Sequence, residues 1–202
     1  MGELSAASFV EWPDALSVEE ADRIRAHLDA CAAGSVESFE PVPERRAPWV
    51  YEALLRLAER ADREAGWGLL SGGAAPSDEL IYDRFGPAFS TPSFDWHVDA
   101  EAGDPRLVSV VVHLSRAEEF AGGEFLAELG GGAVLQRTYE KGWAVAFPSK
   151  GLRHTVTPVV AGERRSALLL VGAPPPARRE AALSSWTGGR LRGKSTGCLI
   201  SK

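Results

Sequence analysis

Leu107-Val108-Ser109-Val110-Val111-Val112-His113-Leu114 is an apolar run rich in β-branched valine, entered through the turn Asp104-Pro105. Branching at Cβ suits a pleated, half-buried surface, and a run this short has the length of a strand rather than a helix. It predicts a buried strand. Runs of the same texture lie on both sides. Upstream, Leu80-Ile81-Tyr82-Asp83-Arg84-Phe85 is a strand candidate, followed by a loop rich in Gly, Pro and Ser from Gly86 to Ser93. Downstream, Ala121-Gly122-Gly123 and Gly130-Gly131-Gly132 read as turns. Between and after them come short strands at Glu124–Glu128, Val134–Tyr139, Ala144–Phe147, Thr155–Val159 and Ser166–Val171. Short strands with turns at this spacing suggest a sandwich or barrel.

The N-terminal third has a different period. Ser8 to Trp12 is a short strand stopped by Pro13-Asp14, and Ser17-Val18-Glu19-Glu20 reads as a capping box, with Ser and Glu three apart. The helix that follows puts Ala21, Ile24, His27, Leu28 and Cys31 on one stripe and ends near Gly34. His27 reads as a helix-face residue rather than a ligand. Glu37 to Pro48 reads as irregular, with Pro41, Pro43 and Pro48. A second helix runs from about Trp49 to Ala65, with Leu54, Leu57, Ala58 and Ala61 inward, and stops at Gly66. The expected fold is mainly β with N-terminal helices, a jelly roll braced by two α-helices. One domain spans 1–174, with helical support over 1–66 and a jelly-roll core over 67–174. A basic tail follows over 175–202.

A chain of 202 residues suits one domain with a real core. A net charge of -6 argues against a general nucleic-acid or anionic-membrane binder. Cys31 and Cys198 give no disulfide framework, and no apolar run approaches the roughly 20 residues that span a bilayer. The N-terminus lacks the basic and apolar regions of a signal peptide, so a cytoplasmic protein is expected. The tail carries Arg178, Arg179, Arg190, Arg192, Lys194 and Lys202 against Glu180 alone. It reads as a solvated extension, with Trp186 leaning toward a docked lid.

Asp95-Trp96-His97-Val98-Asp99 holds the first chemistry. On a strand, His97 and Asp99 point the same way, and an imidazole beside a carboxylate is half of a metal site. His154 lies beyond several strands, where a jelly roll can fold it back. Two His and one carboxylate on one side of a metal form the open facial arrangement of non-haem Fe(II) sites. Ten residues on, Arg164 and Ser166 share a face and could hold a carboxylate by a planar fork and a hydroxyl. Arg165 is the competing candidate, and alternation with Ser166 favours Arg164.

From Tyr82 to Gly172 the chain resembles the Fe(II)/2-oxoglutarate-dependent oxygenases, in their prolyl 4-hydroxylase-like branch. The stretches that carry the resemblance are Trp96–Asp99, Val111–Ser115, Gly122–Phe125, Val145–Ser149, and His154–Val159 through Gly162–Arg164. The resemblance implies a double-stranded β-helix with helices on one side. It implies that His97, Asp99 and His154 bind Fe(II) and that Arg164 pairs with the far carboxylate of 2-oxoglutarate. Ser166, Tyr82 and His113 become further cosubstrate contacts. His113 departs from the branch, which often has Tyr there. Dioxygen is the second cosubstrate, with ascorbate as a further candidate. Retention of Asp99 argues against halogenation, which in this superfamily needs a small residue at that position.

The expected activity is hydroxylation of an unactivated C–H bond in an amino acid, a peptide or protein side chain, or a natural-product intermediate. The alternatives are a non-catalytic jelly roll that binds a ligand or senses iron and 2-oxoglutarate, and the same cofactor set giving desaturation or cyclisation. Asp95, Trp96, Glu101, Arg106 and Glu124 are the substrate-pocket candidates, with the Gly86–Ser93 loop as a rim. The oligomeric state is left open.

Overall fold

The valine-rich run forms the middle of a sheet whose two faces are both covered. The computed structural model describes residues 9–90 and 93–174. The basic tail with Trp186, Cys198 and the start of the first strand at Ser8 lie outside the described residues.

Among the described residues, twelve strands and two α-helices make up the fold. In chain order these are β1 (Val10–Trp12), α1 (Val18–Cys31), β2 (Phe39–Val42), α2 (Pro48–Ala65), β3 (Ala75–Pro76) and β4 (Leu80–Phe85). Then follow β5 (Arg106–His113), β6 (Phe120–Gly122), β7 (Phe125–Glu128), β8 (Val134–Arg137), β9 (Ala144–Pro148), β10 (His154–Val156), β11 (Val159–Gly162) and β12 (Arg164–Gly172). The major sheet runs β1-β9-β5-β12-β4-β2, with β3 paired to the end of β12. Smaller sheets, β10-β7-β8 and β11-β6, lie apart from it, and the pairings given are all antiparallel. This is the jelly roll expected from the strand series, braced by two helices.

Strand alternation divides the core in two. Val108, Val110 and Val112 of β5 pack with Leu80 and Tyr82 of β4, Ala167, Leu169 and Val171 of β12, and the helix stripes. The α1 stripe is Ala21, Ile24 and Leu28; that of α2 is Val50, Leu54, Leu57, Ala58 and Ala61. The opposite face of β9, Val145 and Phe147, packs on Phe125, Ala127, Leu152 and Val156 of the smaller sheet and its approach. The space between the sheets is therefore reached by β5, β9 and β12 residues of the other parity.

The helix signals act as read. Ser17 Oγ accepts from Glu20 N at 3.2 Å, and Ser17 N donates to Glu20 Oε2 at 2.9 Å, closing the capping box. Gly66 ends α2 with a left-handed backbone at φ 67. Among the described residues no helix is long and apolar enough to cross a membrane.

Three expectations need correction. Residues 39–42, read as irregular because of their prolines, form β2, which pairs with β4 through Phe39↔Asp83 and Val42↔Leu80. β2 ends the sheet order, and an edge strand tolerates a proline such as Pro41. Within 1–66, β2 therefore joins the major sheet beside the strand already expected there, β1. Thr155–Val159 is not one strand: Thr157-Pro158 interrupts it, β10 pairing with β7 and β11 with β6. Finally, His97 to Asp99 is not a regular strand. His97 forms an isolated bridge to His154.

Candidate metal and dicarboxylate site

On the cavity face of the major sheet the register sets up a row. Ser166 of β12 stands opposite Asp83 of β4 on one side and His113 of β5 on the other. Two residues along, Arg164 stands opposite Phe85. Leu168 stands opposite Ile81 and Val111, and Val111 opposite Val145. Side chains of alternate residues share a face, so one polar row and one apolar row line the same cavity. The cavity is bounded on the far side by Phe94, His97, Asp99, Phe125, His154 and Val156.

His97, Asp99 and His154 meet there, their candidate ligand atoms all within 4.8 Å of one another. His97 Nε2 lies 3.3 Å and His154 Nε2 3.7 Å from Asp99 Oδ1. Local structure sets the ring orientation. His97 Nδ1 faces the Asp95 carbonyl at 2.7 Å, and His154 Nδ1 faces the Leu152 carbonyl at 3.1 Å. A carbonyl can only accept, so each Nδ1 carries its hydrogen; in the neutral ring Nε2 is then the free ligand atom, and in the charged ring of His97 it donates to Asp99. Such backing of a ligating imidazole is what metal sites use.

Asp99's hydrogen bond lifts the His97 imidazole above its ordinary range, while burial lowers His154. Burial pushes Asp99 upward, but His97 and His154 together hold it below the usual carboxylate range. Asp99 Oδ2 is buried without a hydrogen-bond partner. Once a metal displaces the His97 proton, two imidazoles, one carboxylate and one oxygen without a partner among the described residues suit a divalent ion.

The other end of the cavity is cationic. Arg164 is buried and reaches Ser166 Oγ at 3.3 Å and His113 Nδ1 at 3.5 Å, with its guanidinium 5.7 Å over the Phe85 ring. Among the described residues it makes no ion pair within 4.0 Å. Burial lowers its pKa, and Asp83 partly offsets this. His113 is stacked on Tyr139 at 4.4 Å, and burial followed by the Arg164 charge keeps it neutral, well below the usual imidazole range. Because Nδ1 accepts from Arg164, Nε2 carries the hydrogen, and among the described residues that buried N–H has no partner.

The structure brings His97, Asp99, His154, Arg164, Ser166 and His113 to one cavity. It does not bring Tyr82. That residue lies on the helix side of β4, where its hydroxyl donates to Asp29 Oδ1 at 2.7 Å. Arg165 likewise points to the helix side, pairing with Asp29 at 2.9 Å and with Glu163. The five substrate candidates are also off the cavity wall. Asp95 is exposed and contributes its carbonyl. Trp96 lies under Arg153, 5.3 Å from its guanidinium. Glu101 is exposed, Arg106 is engaged by Asp104, and Glu124 by Thr157. What the sequence reading missed is Asp83, Phe85 and Phe94. Asp83 and Phe85 sit next to the residues that were read on β4, and choosing Tyr82 chose the wrong parity.

Residues 85–171 match the 2OG-Fe(II) oxygenase superfamily. Solved structures similar to this chain include a prolyl-4-hydroxylase from Pseudomonas putida, at TM-score 0.63 and 18% identity over 83% of this chain and 94% of that one. Another is a prolyl hydroxylase from Trichoplax adhaerens in complex with a hypoxia inducible factor oxygen degradation domain peptide fragment, at TM-score 0.62 and 16% identity over 84% and 86%. An oxidoreductase of the 2OG-Fe(II) oxygenase family from Burkholderia pseudomallei matches at TM-score 0.61 and 22% identity over 89% and 91%. No curated protein sequence matches the chain.

Proposed function

We propose, for this member of the 2OG-Fe(II) oxygenase superfamily, that the reaction is hydroxylation of an unactivated C–H bond in an amino acid, a peptide or protein side chain, or a natural-product intermediate. Its catalytic class is that of a 2-oxoglutarate-dependent dioxygenase.

The observation that carries the reading is the placement of two complementary ends in one cavity. His97, Asp99 and His154 form one end, and the buried guanidinium of Arg164, without an ion pair among the described residues, forms the other. A divalent iron held by the three ligands would supply the redox chemistry that couples oxidative decarboxylation of 2-oxoglutarate to oxidation of the substrate. The residues of the chain do the rest. Asp95 and Leu152 carbonyls hold the two imidazoles with Nε2 inward. Arg164 offers a planar two-point grip for the distal carboxylate, which a lysine could not reproduce. Phe85, Phe94, Phe125, Val111, Val145 and Leu168 keep the space between the ends apolar, so a charge bound at either end would lie in a low-dielectric surround.

The test is anaerobic addition of Fe(II) and then 2-oxoglutarate to the protein. A visible metal-to-ligand charge-transfer band that needs both additions is expected, followed in air by succinate release with a matching substrate. A protein that binds Fe(II) but never gives the band on addition of 2-oxoglutarate contradicts the reading.

A further inference from the structure

The cosubstrate end of the cavity holds a second buried acid that the reaction does not require. Asp83 is nearly fully buried and lines the cavity beside Arg164. Its Oδ2 accepts from the Ser166 hydroxyl at 3.0 Å, so that hydroxyl's proton is already committed. Among the described residues its Oδ1 is buried without a partner, as is Nε2 of His113 on the other flank of Arg164. Two unsatisfied groups therefore face the place where a dicarboxylate would end.

A carboxylate ligand has only lone pairs to offer there. The guanidinium of Arg164 and the Nε2–H of His113 suit it. An ionised Asp83 does not, because two carboxylates sharing a buried site repel and cannot both stay charged. With a proton on Oδ1, Asp83 becomes a donor, and every polar group in the row is satisfied at once. Resting on the reading of this cavity as the 2-oxoglutarate site, we propose that Asp83 binds the distal carboxylate of 2-oxoglutarate as a neutral acid, so that cosubstrate binding takes up a proton.

The groups around Asp83 support this. Arg164 and Ser166 on β12 favour its charged form, Asp99 disfavours it, and burial outweighs them, raising its pKa to about 7. His113 on β5 is neutral, and Tyr139, which covers His113, donates its hydroxyl proton to Glu11 at 2.7 Å. The proton is therefore available near neutrality at Asp83 and is lost as pH rises. Binding that needs it weakens about tenfold per pH unit above about pH 7.

The experiment is calorimetric titration of 2-oxoglutarate into the Mn(II)-loaded protein, in pairs of buffers of different ionisation enthalpy. At about pH 8, uptake of close to one proton per 2-oxoglutarate is expected, falling toward none at about pH 6. Asp83→Asn keeps an amide donor at the same place, so it should bind at about pH 8 at least as tightly as the parent and without uptake. Uptake that persists in Asp83→Asn assigns the proton to His113 and overturns the proposal. Should that variant not fold, the same titration with His113→Gln decides: unchanged uptake supports Asp83, and its loss overturns it. Parent protein that binds 2-oxoglutarate with no uptake at about pH 8 removes Asp83 alone from its role. No binding of 2-oxoglutarate at either pH removes the cosubstrate reading with it.

Discussion

His97 and His154 are joined by a reciprocal pair of backbone hydrogen bonds, His97 N to His154 O at 3.0 Å and His154 N to His97 O at 2.9 Å. The two imidazoles are thus set by main chain, with ring centroids 4.4 Å apart. Asp99 has no such tie to β10. Replacing it by Ala removes the anion while leaving the histidine pair standing. The expected result is a loss of Fe(II) or Mn(II) affinity of at least about 100-fold with little change in fold, since ligand and orienting groups each carry large factors. Metal titration with circular dichroism as the folding control checks it. Retained affinity would mean the metal does not use Asp99.

Arg164→Lys separates charge from shape. Lysine keeps the cation but gives up the fork that a carboxylate meets at two points, and its ammonium loses more on burial. Affinity for 2-oxoglutarate should fall by about tenfold or more while metal affinity stays unchanged. Calorimetry on the Mn(II) form measures both. An equal affinity in the variant would show that the guanidinium is not the anchor.

Asp83 also ties stability to pH. Its carboxyl is raised from 3.8 to about 7, chiefly by burial. Between those values the folded protein keeps a proton that the unfolded chain has released. The Asp83 contribution to the stability of the metal-free protein should therefore decline as pH rises from about 4 to about 7 and level off above, by an amount on the order of a few kcal/mol. Buried His113 and His154 act in the opposite sense, so the difference between parent and Asp83→Asn isolates the Asp83 contribution. Asp83→Asn removes the ionisation, so thermal denaturation should show it more stable than the parent at about pH 8 and close to it at about pH 4. An identical pH dependence in the two proteins would contradict the assignment.

The strand texture from Leu80 onward was enough to read the jelly roll, because short runs such as Leu107–Leu114 have one stable use. The site was legible where residue type and parity acted together: alternation chose Arg164 over Arg165, and the structure puts Arg165 with Asp29 on the helix side. Parity failed at Tyr82, since nothing in Leu80–Phe85 says which face meets the helices when both faces are buried. Hence Asp83 and Phe85 went unread. The Phe39–Val42 edge strand was hidden by Pro41, whose missing N–H matters only if a further strand were to pair there. The substrate candidates were chosen by closeness in sequence to the metal dyad. Asp95 and Trp96 instead lie on an irregular segment that turns their side chains away from the cavity wall.

The Gly-Gly step before β7 makes room for Arg164, the proposed cosubstrate anchor. A Cβ on Gly123 would stand 2.9 Å from Arg164 Cδ and 2.9 Å from Val159 Cγ2, at φ +69. Gly123→Ala should therefore do two things. It places an L-residue in the left-handed region, at about 1–2 kcal/mol, and it pushes the Arg164 stem away from Phe85. The control is Gly131→Ala, at φ +77 with no atom within 4 Å of the added carbon. Both variants should lose similar stability through the backbone, but only Gly123→Ala should weaken 2-oxoglutarate, on the order of tenfold. Thermal denaturation and calorimetry on the Mn(II) form, run side by side, separate the two effects. If both glycine variants bound 2-oxoglutarate like the parent, Arg164 would not depend on the space that Gly123 leaves open.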